Sequence, residues 1–148
     1  MVSDEHTHDT PIAGLGEIAL RVDDLDAMAT FYEEVVGLRR MERSETMAFF
    51  DVAAGVEGHT QILALFDRSE RQAHPPESGR STLDHFAFGI PLDAYEDERE
   101  RLRGHGIDPE ETTFEWVSWR SLFFYDPEGN HVELVAYDPD AGEAPPRE

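Results

Sequence analysis

The chain has no cysteine and no lysine. Without cysteine there is no disulfide framework and no thiolate for nucleophilic attack or zinc ligation, so packing alone must hold the fold. Any metal must be held by nitrogen and oxygen. Positive charge is scarce as well. Twelve arginines face thirty-three Asp and Glu over 148 residues, a formal net charge of −21. So acidic a surface repels phosphate backbones, which argues against nucleic acid as a partner. Long apolar runs are missing too: none approaches the ~20 residues that a membrane-spanning helix needs. The opening Met-Val-Ser-Asp-Glu-His-Thr-His is polar and acidic, unlike a signal peptide. The expectation is a soluble cytoplasmic protein of one domain, or two small modules sharing a core. The acidic residues are spread along the chain rather than gathered in a tail. That reads as halophilic adaptation to a salt-rich cytoplasm, where screening shortens the reach of self-repulsion.

What is present is a pattern stated twice. Leu15 to Val22 alternates as a strand, and Asp23 and Asp24 offer an N-cap. Leu25, Met28, Ala29, Tyr32, Val35 and Val36 recur at helical spacing, with Gly37 as the stop. Leu38 to Arg43, Thr46 to Val52 and Thr60 to Phe66 read as strands. Asp67 to Ser81 is polar, contains Pro75-Pro76, and reads as a linker. The order then returns. Leu83 to Ile90 is a strand, Pro91 opens a helix that ends at Gly104-His105-Gly106, and Thr112 to Trp116, Trp119 to Tyr125 and His131 to Tyr137 are strands. Each half is β-α-β-β-β. The expected organisation is a flexible leader over 1–13, a first module over 14–66, a linker over 67–81, a second module over 82–138 and a flexible tail over 139–148. Ile18 and Phe86 stand 68 residues apart, as do Val22 and Ile90, while Gly37 and Gly104 stand 67 apart. A constant offset of this kind is the mark of a duplication.

The chemistry-bearing residues follow from strand alternation. His131, Glu133 and Val135 share one strand face, and Val132, Leu134 and Ala136 share the other. Glu133 is thus a mid-strand carboxylate among apolar neighbours, costly unless it meets water, a partner or a metal. The duplication pairs Glu17 with His85 and Ala64 with Glu133, all on the strand faces away from the helices. Three of these four equivalent positions carry metal-ligating side chains. Glu17, His85 and Glu133 together offer one nitrogen and two carboxylates with positions left open, a set suited to Mn, Fe(II), Co, Ni or Zn. The alternative is an ionised cleft residue at Glu17, paired with Arg21 or Arg120. His131 is a candidate acid–base group, ligand or wet strand residue. Arg120, between aromatic residues, is a candidate holder of an anionic substrate group. His59 or Gln61 could stand in for Ala64 if the register slips. His6 and His8 form a His-x-His pair in the leader, and His74 and His105 read as exposed.

Gly16-Glu17-Ile18-Ala19-Leu20-Arg21-Val22-Asp23-Asp24-Leu25, Phe31-Tyr32 with Gly37-Leu38, Asp84-His85-Phe86-Ala87-Phe88, and Tyr125-Asp126-Pro127-Glu128-Gly129-Asn130 followed by Glu133 resemble the vicinal oxygen chelate superfamily. That superfamily holds glyoxalase I, extradiol dioxygenases, fosfomycin resistance enzymes and bleomycin-binding proteins. The resemblance runs from Leu15 to Asp138. It implies an α+β fold of two βαβββ modules forming a cup-shaped, mostly antiparallel sheet with helices outside and a divalent metal inside. The family ligand positions fall at Glu17, Ala64, His85 and Glu133. It further implies a homodimer, because small members swap modules and can draw one site from two chains. The chain departs from the subtypes: glyoxalase I has a carboxylate where Ala64 stands, and extradiol dioxygenases have histidine where Glu17 stands and tyrosine where Phe123 stands. Two functions therefore compete. One is a metal-dependent lyase, isomerase or dioxygenase acting on a small molecule that chelates the metal through adjacent oxygens. The other is a metal-free binding protein of the bleomycin-resistance type.

Overall fold

The computed structural model describes residues 10–70 and 80–142. The His-x-His pair of the leader and His74 lie outside the described residues. In chain order the elements are β1 (Glu17–Val22), α1 (Leu25–Thr30), β2 (Arg39–Arg43), β3 (Met47–Ala53), β4 (Gln61–Asp67), β5 (Phe86–Gly89), α2 (Tyr95–Gly104), β6 (Glu110–Phe114), β7 (Trp119–Tyr125) and β8 (His131–Tyr137). A π-helical segment, Phe31–Val36, continues α1.

The strands form two four-stranded sheets in the same order, β1-β4-β3-β2 and β5-β8-β7-β6. The first pairing of each sheet is parallel and the other two are antiparallel. Among the described residues no ladder joins one sheet to the other. The duplication holds at the level of single pairs. Ala19 stands opposite Ala64 in the first sheet, and Ala87 stands opposite Glu133 in the second. The same offset that links Ile18 to Phe86 links Ala19 to Ala87.

Local chemistry sets the boundaries. Asp24 caps α1 by accepting the Ala27 amide at 3.0 Å, and Gly37 ends the helical stretch at φ +92°, a left-handed conformation that glycine adopts without a Cβ clash. Two expected strands move. Thr112 to Trp116 becomes Glu110–Phe114, because the chain turns over 115–118 with Ser118 at φ 61°. Trp116 has strand propensity but sits in that turn, 74% exposed. Leu83 to Ile90 shortens to Phe86–Gly89, since β8 offers ladder partners only from Phe86 onward.

One core serves both modules. Leu20, Val22, Phe50, Leu63 and Leu65 from the first sheet meet Phe86, Leu122, Phe124, Val132 and Leu134 from the second, with Met28, Tyr32, Tyr95 and Leu102 from the helical segments. Fully burying each of these large side chains contributes about 1.5–3 kcal/mol. Polar contacts fasten the second module to both ends of the first module's helical stretch. The Glu128 carboxylate accepts the backbone amides of Asp23 and Asp24 at 2.7–2.9 Å. At the other end the Arg101 guanidinium donates to the carbonyls of Val35 and Val36, at 2.5 and 3.0 Å. Anion at the N-terminus and cation at the C-terminus is the arrangement that orphan helical amides and carbonyls favour.

The two helices and the core lie on one side of the sheets, so the opposite sheet faces are free to carry function. None of the described helices is long and apolar enough to cross a membrane.

Candidate metal centre

The open face of the second sheet collects the polar residues that alternation places there. Glu133 sits mid-strand in β8, opposite Ala87 on one side and Phe123 on the other. It is only 6% exposed. Its Oε1 lies 3.2 Å from His85 Nε2. His85 is the residue just before β5, and its other ring nitrogen, Nδ1, lies 2.8 Å from the Asp84 carboxylate. A carboxylate on Nδ1 orients the ring so that Nε2 is the nitrogen turned toward Glu133, which is how histidine is commonly set for a metal. Ser121 Oγ, fully buried, donates to Glu133 Oε2 at 2.5 Å.

His131 joins this cluster. Its ring centroid is 5.9 Å from that of His85, 4.9 Å from Phe123 and 4.6 Å from Tyr125, on which it stacks. The wall continues along β7 and β6: Phe123 packs edge-on against His85 and Phe114, while Trp119 leans against Trp116. Tyr125 and Trp116 are well exposed.

Not every expected site residue belongs to this face. Glu17 is exposed at the start of β1, at the rim of a cavity of about 320 Å3 lined also by Ile18, Leu63, Phe86 and Phe88. Among the described residues no three His, Asp or Glu side chains, Glu17 included, converge on one cation-sized position. The structure sets His85 against both Glu133 and His131, and places Glu17 on a cavity that Ala87, the ladder partner of Glu133, also lines. Arg120 points the other way. It alternates with Ser121, lies 4.1 Å over the Tyr95 ring and pairs with Asp138 at 3.5 Å, so it fastens β7 to α2 and the segment after β8. Neither His59 nor Gln61 replaces Ala64. Gln61 alternates with Ile62, away from the Ala64 face, and spends its amide on the Ala54 carbonyl at 3.1 Å. His59 stays in the loop before β4, its ring against Gly16. His105 is exposed at the end of α2. Sequence reasoning missed Ser121 and Asp84. Ser121 shares strand parity with Phe123, which the structure sets opposite Glu133, and strand parity is the signal that carries Ser121 to this face.

Comparisons with known proteins agree with this architecture. The glutathione transferase FosA of Serratia marcescens is 28% identical over 130 residues, covering 83% of this chain and 80% of that protein. The crystal structure of lactoylglutathione lyase from Agrobacterium tumefaciens superposes with a TM-score of 0.63 at 26% identity, covering 86% of this chain and 96% of that one. The fosfomycin resistance protein FosX of Listeria monocytogenes shares the fold at a TM-score of 0.61 and 23% identity, over 88% of this chain and 98% of its own. Residues 14–134 match the profile of the Glyoxalase/Bleomycin resistance protein/Dioxygenase superfamily, and the chain belongs to that family.

Proposed function

We propose that the protein is a metal-dependent enzyme acting on a small molecule that presents two adjacent oxygens, with His85 and Glu133 as metal ligands. The observation that carries this reading is the buried Glu133 carboxylate held 3.2 Å from His85 Nε2 on an otherwise aromatic face. The donor set fits a divalent cation: an imidazole nitrogen oriented from behind by Asp84, and a carboxylate oxygen at the same spot. A third ligand comes from Glu17 of a second copy of the chain in a homodimer. Support for this is the exposure of Glu17, its equivalence to His85 in the duplication, and the absence among the described residues of a third His, Asp or Glu converging with His85 and Glu133.

A bound cation of this kind supplies Lewis-acid polarisation of the chelating oxygens. The remaining work falls to side chains of this face. His131, beside His85, is positioned to accept or donate a proton. Phe123, Phe114 and Trp119 exclude water and give a planar, apolar part of the substrate a surface to stack on. Arg120, engaged with Tyr95 and Asp138, has no part in this reading.

A second reading, a metal-free binding protein, is favoured by that same exposed aromatic wall, which can hold a flat molecule by stacking alone. Metal analysis separates the two. Protein purified in high salt without chelator is expected to carry Mn, Fe, Co, Ni or Zn in stoichiometric amount, and Glu133→Ala is expected to lose it. A folded protein that stays metal-free when metal is supplied overturns the enzyme reading and leaves the binder.

A further inference from the structure

The two oxygens of Glu133 live in different surroundings. Oε1 faces His85 Nε2, while Oε2 receives the Ser121 hydroxyl at 2.5 Å. Ser121 is itself fixed. It is fully buried in β7, opposite Val135 in β8 and Thr112 in β6, and its carbonyl accepts the Tyr95 hydroxyl at 3.3 Å from the helix side. Ladders on both sides and a tyrosine behind fix the Ser121 backbone, and full burial leaves the Glu133 carboxylate as the partner its hydroxyl bonds. A buried carboxylate oxygen with a donor this close is not readily given up, because its loss would leave the oxygen unsatisfied away from water.

We propose that Ser121 is a positioning residue that reserves Oε2 of Glu133 and leaves Oε1 as the single oxygen offered to the cation. The inference rests on the metal reading above. One-oxygen ligation keeps a coordination position open that a two-oxygen carboxylate would fill, and an open position is what a chelating substrate requires. Ser121 does not touch the reacting atoms. It acts through Glu133, in the manner of the outer partners that orient metal ligands.

Cobalt(II) is the probe, because its visible absorption reports coordination number. Wild-type protein, Ser121→Ala, Ser121→Val and Ser121→Thr are titrated with Co2+, and the melting temperature of each is recorded without metal. Ser121→Ala and Ser121→Val are expected to bind Co2+ about 10- to 100-fold more weakly and with a changed visible spectrum, as Glu133 becomes free to turn. Ser121→Thr, which keeps the hydroxyl, is expected to restore both. A merely structural serine would move the melting temperature but leave the affinity and spectrum alone. That result overturns the proposal and leaves the metal site standing. A wild-type protein that binds no Co2+ overturns the metal reading itself, and this proposal with it. The valine variant, the hydroxyl-free match of the threonine variant, keeps the test decisive should the alanine variant fail to fold.

Discussion

The hydroxyl of Tyr32, in the first module, donates to Asp126 Oδ2 in the second module's turn, 94 residues away, at 2.6 Å. Both residues are buried. Asp126 is otherwise spent on its own turn, accepting the amides of Glu128 and Asn130 and the Asn130 side chain at 2.9–3.0 Å. The Asp-Pro-Glu-Gly-Asn turn is therefore both a hairpin connection and the latch between modules.

Tyr32→Phe removes the donor and leaves a buried carboxylate oxygen with one partner fewer. The expected loss is about 1.5–3 kcal/mol, the range for hydrogen bonds to charged groups. Urea denaturation measures it. A variant as stable as the wild type would mean that the latch is dispensable.

The same phenol gives a pH dependence with a definite sign. Burial first, then the Asp126 charge and hydrogen bond, push the Tyr32 pKa well above its ordinary value. In the unfolded chain a tyrosine titrates near pH ~10. Above that pH the folded state holds a proton that the unfolded state has lost, so stability falls as pH rises. The contribution is fully present below pH ~10 and drains away above it. The stability gap between wild type and Tyr32→Phe should therefore narrow between pH ~9 and ~11. A gap constant across that range would show that Tyr32 titrates normally.

Much of this architecture is written locally in the sequence, and the reasons are visible residue by residue. The repeat that links Ile18 to Phe86 at 68 residues and Ala64 to Glu133 at 69 anticipates two like modules, and the sheets show it as matching parallel pairs, Ala19 with Ala64 and Ala87 with Glu133. Asp24 and Gly37 mark helix ends because capping acts within a turn. Strand alternation puts His131 and Glu133 on one face. Arg120 lies between Trp119 and Phe123 in sequence, but parity turns it to the helix side, over Tyr95, which no local pattern shows. Trp116 misled because propensity does not see the tight turn that Ser118 permits. The contacts of Tyr32 with Asp126 and of Arg101 with Val35 and Val36 are tertiary, and no local pattern encodes them.

Arg101 and Glu128 make a second stability test at opposite ends of one helical stretch. Arg101→Met keeps the aliphatic stem and removes the donors to the Val35 and Val36 carbonyls, at a cost of about 1–2 kcal/mol. Glu128→Ala exposes the Asp23 and Asp24 amides to water, which can replace the lost partner in part, so about 1 kcal/mol is expected. Thermal melts of the two variants should rank Arg101→Met as the more damaging. The reverse order would place the stronger fastening at the helix start.

Net charge predicts how the fold responds to salt. At −21 the surface repels itself, and raising ionic strength from ~0.1 M to ~1 M shortens the screening length from about 10 Å to about 3 Å. The melting temperature is expected to climb steadily with KCl over that range. A flat response would show that self-repulsion among the unpaired acids contributes little to the stability of the fold.

The sharpest prediction concerns where the third metal ligand comes from. Glu17→Ala and His85→Ala should each lose metal when pure, whichever copy of the chain supplies Glu17. Mixing them distinguishes the cases. If one site takes His85 and Glu133 from one chain and Glu17 from another, a mixed dimer has one site missing both ligands and one site intact. Random reassociation would then return about a quarter of the wild-type metal, since half of the dimers are mixed and each carries one good site of two. If all three ligands came from one chain, every site in the mixture would still lack a residue and no metal would return. Recovery of binding on mixing two inactive proteins has no explanation in misfolding, because neither variant can repair the other's fold except by lending it a side chain. The absence, among the described residues, of three converging ligands within one chain favours recovery.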